Sequence, residues 1–241
     1  MEKLEKFQIL ASCLIIAFAL LISSLVFASK IQNNENITVT GSAFKIVKSD
    51  SAKLSFNINA RAINQKATYA TIKNQLPIVI NYLKEQGIDE KNITIRTIGG
   101  YDIYKQNERG YQSQEIIAYQ ANQGIEITSN DVEKIKKLST DLQELIDKGI
   151  KIDVFQPEYF YSDLASIKID LLKEATADAK DRATSMLKAT NARVGKVKSM
   201  RMGVFQITPA DSNSVSDMGI NDTSSIDKKV TAVANVVFKM K

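Results

Sequence analysis

The chain has 241 residues, with 32 basic and 27 acidic residues, no His, no Trp, one Cys and three Pro. Apolar residues make up 44% and charged residues 24%, a balance that is typical of folded proteins and not of disordered chains. Without histidine there is no Ser-His-Asp or Cys-His relay and no His-ligated zinc, and a single cysteine excludes an intramolecular disulfide.

An uncharged apolar run occupies residues 7–28, FQILASCLIIAFALLISSLVFA. As a helix it would be about 33 Å long, enough to cross the roughly 30 Å hydrocarbon layer of a membrane. Lys3 and Lys6 precede the run, and only Lys30 follows it closely. The positive-inside rule therefore predicts a cytoplasmic tail over residues 1–6 and one transmembrane helix. We expect a single-pass protein of the cell membrane with an extracytoplasmic C-terminal domain.

The alternative to this anchor is a cleaved leader. The run is longer than the about 7–15 apolar residues of a signal-peptide core, which favours an uncleaved signal anchor. Val26-Phe27-Ala28 followed by Ser29 nevertheless resembles a cleavage site, and cleavage near Ala28 would give a secreted protein. Beyond the run, the composition predicts a polar tether over residues 29–35 and an extracytoplasmic domain over residues 36–241.

The first elements of this domain are two strands and a helix. Residues 37–47 predict the first strand, and a turn at Asp50-Ser51 leads into the second. The second strand alternates polar residues with inward-facing ones, which are Ala52, Leu54, Phe56, Ile58 and Ala60. Helical spacing then predicts a helix that begins at an Asn64 cap and ends at Gly87. Pro77 inside this helix should kink it or remove one hydrogen bond.

A hairpin and a second helix follow. Residues 93–104 and 115–128 predict antiparallel strands joined by a polar loop. Asn130 and Glu133 have the spacing of a capping box, so they predict the start of a helix that ends at Gly149. An isoleucine follows Gly149, as one follows Gly87, which is typical of a left-handed glycine that ends a helix.

The last predicted elements are a strand over residues 151–160, a helix from about Asp163 to Thr190 with Ser162 as its cap, and strands over residues 194–205 and 229–240. The helix has an inward stripe of small and apolar residues, namely Leu164, Ile167, Leu171, Ala175, Ala179, Ala183 and Leu187. Such small residues indicate tight packing. The stretch 208–227, rich in Ser, Asp and Asn, predicts a mobile loop or a lid.

The order of elements is therefore ββαββαβαββ. Because two pairs of neighbouring strands have hairpin connections, the order predicts an α+β fold with antiparallel sheets and packed helices. One N-terminal transmembrane helix would precede this fold.

Several short landmarks recur in a fixed order along the domain. They are Ile37-Thr38-Val39-Thr40-Gly41, Gly87-Ile88 leading through Lys91-Asn92-Ile93 to Thr97, Tyr119-Gln120-Ala121-Asn122, the alanine-rich stretch from Glu174 to Ala183, and Gly195-Lys196-Val197. In this order and spacing the chain resembles the SIMPL-domain family of cell-envelope proteins over roughly residues 36–241. One departure is Asn191, where the family usually has glycine, although asparagine tolerates the same left-handed conformation.

The resemblance implies an extracytoplasmic α+β domain, membrane-tethered or secreted, without an agreed enzyme activity. Some members of the family are described as oxidative-stress defence proteins or surface antigens, and assembly into larger rings is implied as well. No catalytic residue is carried over from the family.

The chain's own residues predict no catalytic, cofactor-binding or metal-binding residue. Asp170 and Glu174 share one helix face, and Glu158 and Asp163 flank a turn, whereas glycoside hydrolysis needs two carboxyl groups that face each other across a cleft. Exposed ion pairs with nearby lysines explain these residues better. Serines and lysines are numerous, but no spacing marks out a Ser-Lys dyad.

Two aromatic clusters are the remaining candidates for contact with a partner. Tyr101, Tyr104 and Tyr111 surround the hairpin loop, and residues 159–161 (Tyr-Phe-Tyr) precede the long helix. They indicate either a rim that binds a partner or glycan, or edge strands capped by amphipathic tyrosines. We favour the second interpretation.

These observations predict a non-catalytic, membrane-anchored domain that acts as an envelope interaction, scaffold or stress-related protein and forms a homo-oligomer. A net charge of +5 without a long basic run does not indicate nucleic-acid binding, and no cofactor is expected. Two alternatives stay open. One is a ligand-binding module, its ligand unidentified, with a cavity between the alanine-rich helix and the sheet. The other is a carboxylate- or metal-dependent hydrolase whose site is assembled from distant residues.

Overall fold

The computed structural model describes residues 14–25 and 35–241. Residues 14–25 form a helix, α1, whose side chains are all exposed. Among the described residues, no helix has the length and apolarity that a membrane span needs. The predicted cytoplasmic tail, residues 1–6, lies outside the described residues, as do both ends of the predicted membrane segment, residues 7–28, and most of the tether, residues 29–35.

The rest of the described chain is α+β, as predicted. Its strands are β1 (Asn36–Lys48), β2 (Ser51–Ala62), β3 (Ile93–Gln106), β4 (Gln112–Ser129), β5 (Lys151–Val154), β6 (Glu158–Phe160), β7 (Val194–Met202), β8 (Gln206–Pro209), β9 (Ile220–Asn221) and β10 (Asp227–Met240). Its helices are α2 (Gln65–Glu85), α3 (Val132–Asp141), α4 (Glu144–Asp147) and α5 (Leu164–Lys188), with a 3₁₀ turn at Glu90–Asn92.

The chain divides into two compact units. Unit 1 contains the described residues up to Ala43, together with Ile169–Val204 and Ala232–Lys241. Unit 2 contains Phe44–Lys168 and Phe205–Thr231. The strands β1 and β10 and the helix α5 therefore contribute residues to both units.

Unit 2 is built on an antiparallel sheet in the order β3-β4-β2-β5, in which β6 also pairs with β2. The predicted alternation of β2 is confirmed, because its inward residues are at most 4% exposed. Burying side chains such as Leu54, Phe56 and Ile58 contributes about 1.5–3 kcal/mol each. These side chains pack with apolar residues of α2, α3 and α4 in one core.

Helix α2 begins and ends as the sequence predicts. The side chain of Asn64 accepts a hydrogen bond from the N–H of Ala67 at 3.0 Å. At the other end, Gly87 has a φ of +75°, and the N–H of Ile88 donates to the carbonyl of Leu83 at 3.0 Å. This is a Schellman motif, and Gly149 and Ile150 repeat it after α4. The helix continues through Pro77.

The second predicted helix is wrong in two details. It begins one residue later than predicted, since Asp131 and not Asn130 is the cap, with its side chain accepting from the N–H of Lys134 at 2.9 Å. It also divides into α3 and α4 at Leu142 and Gln143. Either Asn or Asp can cap a helix, so the local sequence does not decide between the two positions.

Tyr82 of α2 gives unit 2 a sensitivity to high pH. Its hydroxyl donates to the carbonyl of Asp141 at 2.8 Å. Burial, followed by the nearby charges of Glu144 and Asp141, raises the pKa of Tyr82 to about 12. The folded state therefore favours the neutral phenol, and this stability is complete below about pH 10 and is lost as the pH rises towards the folded-state pKa.

We expect Tyr82→Phe to reduce the loss of unfolding free energy between pH 9 and pH 12 by about 2–3 kcal/mol, which corresponds to the shift in pKa. Urea denaturation across this pH range measures it. The control is Tyr111→Phe, which makes the same substitution at a tyrosine that is 70% exposed and should change stability at pH 7 by less than about 0.5 kcal/mol. Equal pH slopes for wild type and Tyr82→Phe would contradict the role of this phenol.

Two predicted strands are each divided in the structure. Residues 151–160 form the short strands β5 and β6, with Pro157 between them, and residues 194–205 end as β7 at Met202. The separate strand β8 pairs with Lys228–Thr231 of β10 within unit 2. The observed order is therefore ββαββααββαββββ, longer than the predicted one.

Unit 1 contains the part of β1 before Phe44, most of α5, β7 and the end of β10. Gly41 lies where β1 meets α5, and a Cβ atom there would be 2.1 Å from the carbonyl oxygen of Ala175 and 2.3 Å from the nitrogen of Ala179. Only glycine allows the strand backbone to approach the helix this closely. After α5, Asn191 has a φ of +59°, which confirms the left-handed conformation expected there.

Residues 208–227, predicted as a mobile loop or lid, are instead held in unit 2 by hydrogen bonds. The side chain of Gln206 donates to the carbonyl of Ser216 at 2.7 Å, and the N–H of Tyr159 donates to the carbonyl of Thr223 at 2.7 Å. The segment also contains β9, which pairs in parallel with β8.

The predicted cap of the long helix, Ser162, has another role. Its N–H and hydroxyl both donate to the carboxylate of Asp50, with the hydroxyl oxygen 2.6 Å from Oδ2. The contact joins the segment before α5 to the turn between β1 and β2, and all of these residues belong to unit 2.

Candidate functional site

The most concentrated polar cluster lies in unit 2, before and at the start of β10. Its members, called here the Asp222 cluster, are Asp222, Ser224, Ser225 and Lys228. The Lys228 ammonium donates to the backbone oxygen of Asp222 at 2.7 Å and lies 3.3 Å from its carboxylate. Both serine hydroxyls donate to the same carboxylate, Ser224 at 2.6 Å. Lys228 is only 2% exposed, so this is a buried ion pair.

The electrostatics of the Asp222 cluster keep the acid ionised. Burial alone would raise the pKa of Asp222, but hydrogen bonds from Ser224 and Ser225 and the charge of Lys228 outweigh burial and hold the pKa well below its ordinary value. Burial lowers the pKa of Lys228, although Asp222 acts in the opposite direction. The carboxylate thus accepts hydrogen bonds throughout the neutral pH range.

This arrangement does not match nucleophilic catalysis by a Ser-Lys dyad. In such a dyad the lysine nitrogen takes the serine proton, whereas here Lys228 and both hydroxyls donate to one carboxylate. An open cleft of about 530 Å³ lies beside the two serines and is also lined by Tyr159 and Asp211. The arrangement fits a structural connection between residues 210–226 and β10.

The sequence contains an indication of the Asp222 cluster that hydrophobic periodicity alone does not reveal. Lys228 precedes the buried residues Val230 and Ala232 of β10 by two and four positions. It therefore lies on the same, apolar face of the strand. A lysine at such a position requires a carboxylate nearby. Asp222 and Ser224 have the spacing of a local side-chain turn, which places that carboxylate within reach.

One member of each carboxylate pair considered above forms an ion pair with a lysine at the surface. Asp170 lies 3.1 Å from Lys173, and Glu158 lies 2.5 Å from Lys53. Such exposed pairs typically contribute about 0–1 kcal/mol. Within residues 14–25 and 35–241, no group of three or more Asp, Glu or Cys residues could hold a metal ion.

The two aromatic clusters have different environments. Tyr159 is 6% exposed and belongs to the core of unit 2, whereas Phe160 and Tyr161 beside it are half-buried. Tyr101 and Tyr111, by contrast, are exposed. The pairing of β4 with β2 ends at Tyr119, and beyond it β4 pairs only with β3.

Residues 102–118 therefore form a two-stranded ribbon, called here the hairpin arm. Its exposed apolar side chains include Tyr104, Tyr111, Ile116 and Ile117. A two-stranded hairpin is marginally stable in water by itself, because it has no covered face. The hairpin arm is thus a candidate contact surface of unit 2.

Unit 1 has two open sheet edges. Its part of β10 pairs with β7 over Ala234–Met240, and β1 lies beside β10, with the N–H of Met240 donating to the carbonyl of Glu35 at 3.0 Å. A strand has only two sides, so β1 and β7 lie on opposite sides of β10 in this unit. Among the described strands, β1 pairs only with β10, and β7 also pairs only with β10. Open edges of this kind can pair with another chain.

A family model matches the part of the chain that contains the short sequence landmarks from Ile37-Thr38 to Gly195-Lys196-Val197. The model described as "SIMPL: Protein of unknown function (DUF541)" matches residues 37–238. The chain belongs to the SIMPL family. This confirms the resemblance drawn from the sequence, and the SIMPL match covers both units. The family's description names no enzyme activity.

Two further proteins are similar to this SIMPL chain. One is the uncharacterized protein YggE of Edwardsiella ictaluri (strain 93-146), which is 22% identical over 187 residues that cover 76% of this chain and 74% of that protein. The other is the crystal structure of the regulatory subunit of aspartate kinase from Thermus thermophilus in its ligand-free form. It is 13% identical and covers 83% of this chain and 88% of its own, with a TM-score of 0.17. A TM-score this low supports no inference about fold or function.

Proposed function

We propose that this SIMPL protein is a non-catalytic interaction or scaffold protein of the cell envelope that associates with itself. An apolar anchor over residues 7–28 would hold it in the cell membrane, with the SIMPL domain on the extracytoplasmic side. The length of the apolar run and the lysines before it support the anchor and the orientation.

One structural observation supports action by protein contact. The surface of the described chain has features that could pair with another protein, namely the open edges of β1 and β7 in unit 1 and the hairpin arm in unit 2. The polar cluster most like an active site, the Asp222 cluster, is by contrast satisfied internally.

The ligand-binding alternative required a cavity between the alanine-rich helix and the sheet. In unit 1, β1 and α5 are packed backbone to backbone where Gly41 meets Ala175 and Ala179. The space that remains beside this contact is an open groove of about 550 Å³ at the rim, lined by residues such as Thr38 and Met186, and not an enclosed cavity. The hydrolase alternative required two facing carboxyl groups with perturbed pKa values. Asp222, whose pKa is held well below its ordinary value, faces a lysine and two hydroxyls and not a second carboxyl group.

The proposal predicts the topology of the intact protein. With a tag after Lys241, protease added outside intact cells that lack an outer barrier, or to spheroplasts, should remove the tag. A cytoplasmic marker protein in the same sample is the control and should survive. Protection of the tag until the membrane is opened would contradict the extracytoplasmic orientation. Recovery of a chain shortened near Ala28 in the medium would identify the secreted alternative.

A further inference from the structure

The pairing of β1 with β10 in unit 1 is regular. The N–H of Met240 donates to the carbonyl of Glu35 at 3.0 Å, and the hydroxyl of Thr40 donates to the side-chain oxygen of Asn235 at 2.6 Å. These two contacts are five residues apart on both strands, as expected of antiparallel strands without a bulge between them. Exposed and buried residues also alternate strictly over residues 38–42.

The backbone groups of Thr38 and Thr40 face the open side of β1. The N–H of Ser42 donates to the carboxylate of Asp178 on α5 at 2.8 Å, so this N–H points away from β10. Alternate residues of a strand direct their N–H and C=O groups to the same side, so those of Thr38 and Thr40 share the direction of the Ser42 N–H. Among the described strands, none pairs with this side of β1.

The other open edge of unit 1, on β7, has features that protect an edge from pairing. Its pairing with β10 shifts register twice over Val194–Ser199. Lys196, Lys198 and Arg201 also give the strand three cations. Bulges and charged side chains are means by which natural proteins prevent edge-to-edge pairing. The part of β1 in unit 1 has no such protection, since its pairing is regular and its residues 36–43 are uncharged.

The open stretch of β1 has the length that pairing with a copy of itself requires. The strand begins at Asn36, and its open side ends before Ser42, where Asp178 occupies the donor. If two such strands lie antiparallel about a two-fold axis at Thr38, Asn36 of each copy lies opposite Thr40 of the other. Neither strand then reaches Asp178. The contact is isologous, so it needs only this one surface.

A groove of about 550 Å³ beside β1 gives the added strand room for its side chains. It lies between β1 and α5, and its lining includes Val39 and Met186. Val39 is on the buried side of β1, and Ile37 of the second copy would lie opposite it on that side. Met186 is 56% exposed, so apolar side chains added here would remove part of its surface from water. The charged lining residues are one acid and one base, Asp181 and Arg182, which suits a strand without charge.

We infer that two copies of this chain pair through β1, strand to strand about a two-fold axis at Thr38, and join their unit 1 sheets into one. The inference rests on the proposed self-association and names the surface that makes it. At the axis, the N–H of each Thr38 donates to the carbonyl of the other. The regular and uncharged edge of β1 is the feature that favours this contact over one through β7.

The first test removes the donor at the axis. Thr38→Pro deletes an N–H on the open side, so the bonds between β1 and β10 are retained. Thr38→Val is the matched control, because it has a similar shape and keeps the N–H. Sedimentation of the full-length chain in a non-ionic detergent, over a range of concentrations, measures the dissociation constant. We expect Thr38→Pro to raise this constant about tenfold or more, a loss of about 1.4 kcal/mol, and Thr38→Val to leave it unchanged.

The second test locates the axis with single cysteines in a Cys13→Ala background, which has no other cysteine. Thr38→Cys places two thiols on directly opposite residues, whose Cα atoms are about 5.5 Å apart and within reach of a disulfide. Thr40→Cys is the control on the same face of β1, but its two thiols are four residues apart along the strands, roughly 13 Å. With diamide as the oxidant, we expect a disulfide-linked dimer from Thr38→Cys and little from Thr40→Cys on non-reducing electrophoresis.

The outcomes separate this inference from the function on which it rests. A wild-type chain that is monomeric at all concentrations would overturn both the self-association and the β1 contact. A wild-type oligomer that Thr38→Pro leaves intact, or equal cross-linking at both cysteine positions, would overturn the β1 contact alone. Weaker association of Thr38→Pro together with the selective disulfide would establish it. Circular dichroism checks that Thr38→Pro keeps its fold, and the cysteine test does not depend on that variant.

Discussion

Replacing Asp222 with alanine is expected to lower the free energy of unfolding by about 3–5 kcal/mol, the cost of leaving a buried charge without its partner. Lys228 would keep its ammonium group in a site that is 2% exposed, and Ser224 and Ser225 would lose the acceptor of their hydroxyl hydrogen bonds. Urea denaturation of the full-length chain at pH 7 measures the change.

Two further variants show whether the unpaired charge is the cause. Asp217→Ala removes an exposed acid from the same segment and should change stability by less than about 0.5 kcal/mol. Asp222→Ala combined with Lys228→Met removes both charges and should recover a large part of the loss. A double variant as unstable as Asp222→Ala would show that the hydrogen bonds of Asp222, and not its ion pair, carry the stability.

The ion pair between Asp222 and Lys228 also predicts that the free energy of unfolding falls at acid pH. The pKa of Asp222 is depressed in the folded state, so its contribution is complete above the ordinary carboxyl pKa of about 3.9 and is lost as the pH falls below that value. The wild-type chain should lose more stability than the double variant between pH 5 and pH 2 in the same urea experiment.

Gly41→Ala is expected to destabilise unit 1 by about 3 kcal/mol, at the upper end for overpacking. The added Cβ would lie 2.1 Å from the carbonyl oxygen of Ala175 and 2.3 Å from the nitrogen of Ala179. Both atoms are helix backbone, so no side chain can turn away to make room. Thermal unfolding followed by circular dichroism measures the loss.

The control for this substitution is Gly99→Ala. Gly99 is also a strand glycine, but its added Cβ would meet only the side-chain oxygen of Asn122 at 3.6 Å, which is an ordinary contact. It should therefore be tolerated with little change in stability. Equal melting temperatures for Gly41→Ala and the wild type would show that β1 and α5 can move apart without cost, against the packing described here.

The elements that local patterns determine were predictable from the sequence. The alternation of β2 and the glycine–isoleucine ends after α2 and α4 depend on residues close in sequence, and Asn191 takes the left-handed conformation that its position requires. The family resemblance was also predictable, because it depends on the order of landmarks and not on any contact.

The remaining features depend on pairing between distant segments. Residues 194–205 read as one strand, yet they divide because β7 and β8 each pair with a different part of the long strand β10. The position of Lys228 opposite Asp222 likewise requires the path of residues 208–227, which their composition does not specify. The open edges of β1 and β7 become visible only when the strand order is known.

The hydrogen bond between the Ser42 N–H and Asp178 limits how far a neighbouring strand could run along β1. An incoming backbone can bond at Thr38 and Thr40, but at the next donor it meets a carboxylate that already occupies the site. A partner strand must therefore stop there, which fixes its alignment and prevents it from sliding. Asp178 of α5 would in this way restrict which strands can pair with the open edge of β1.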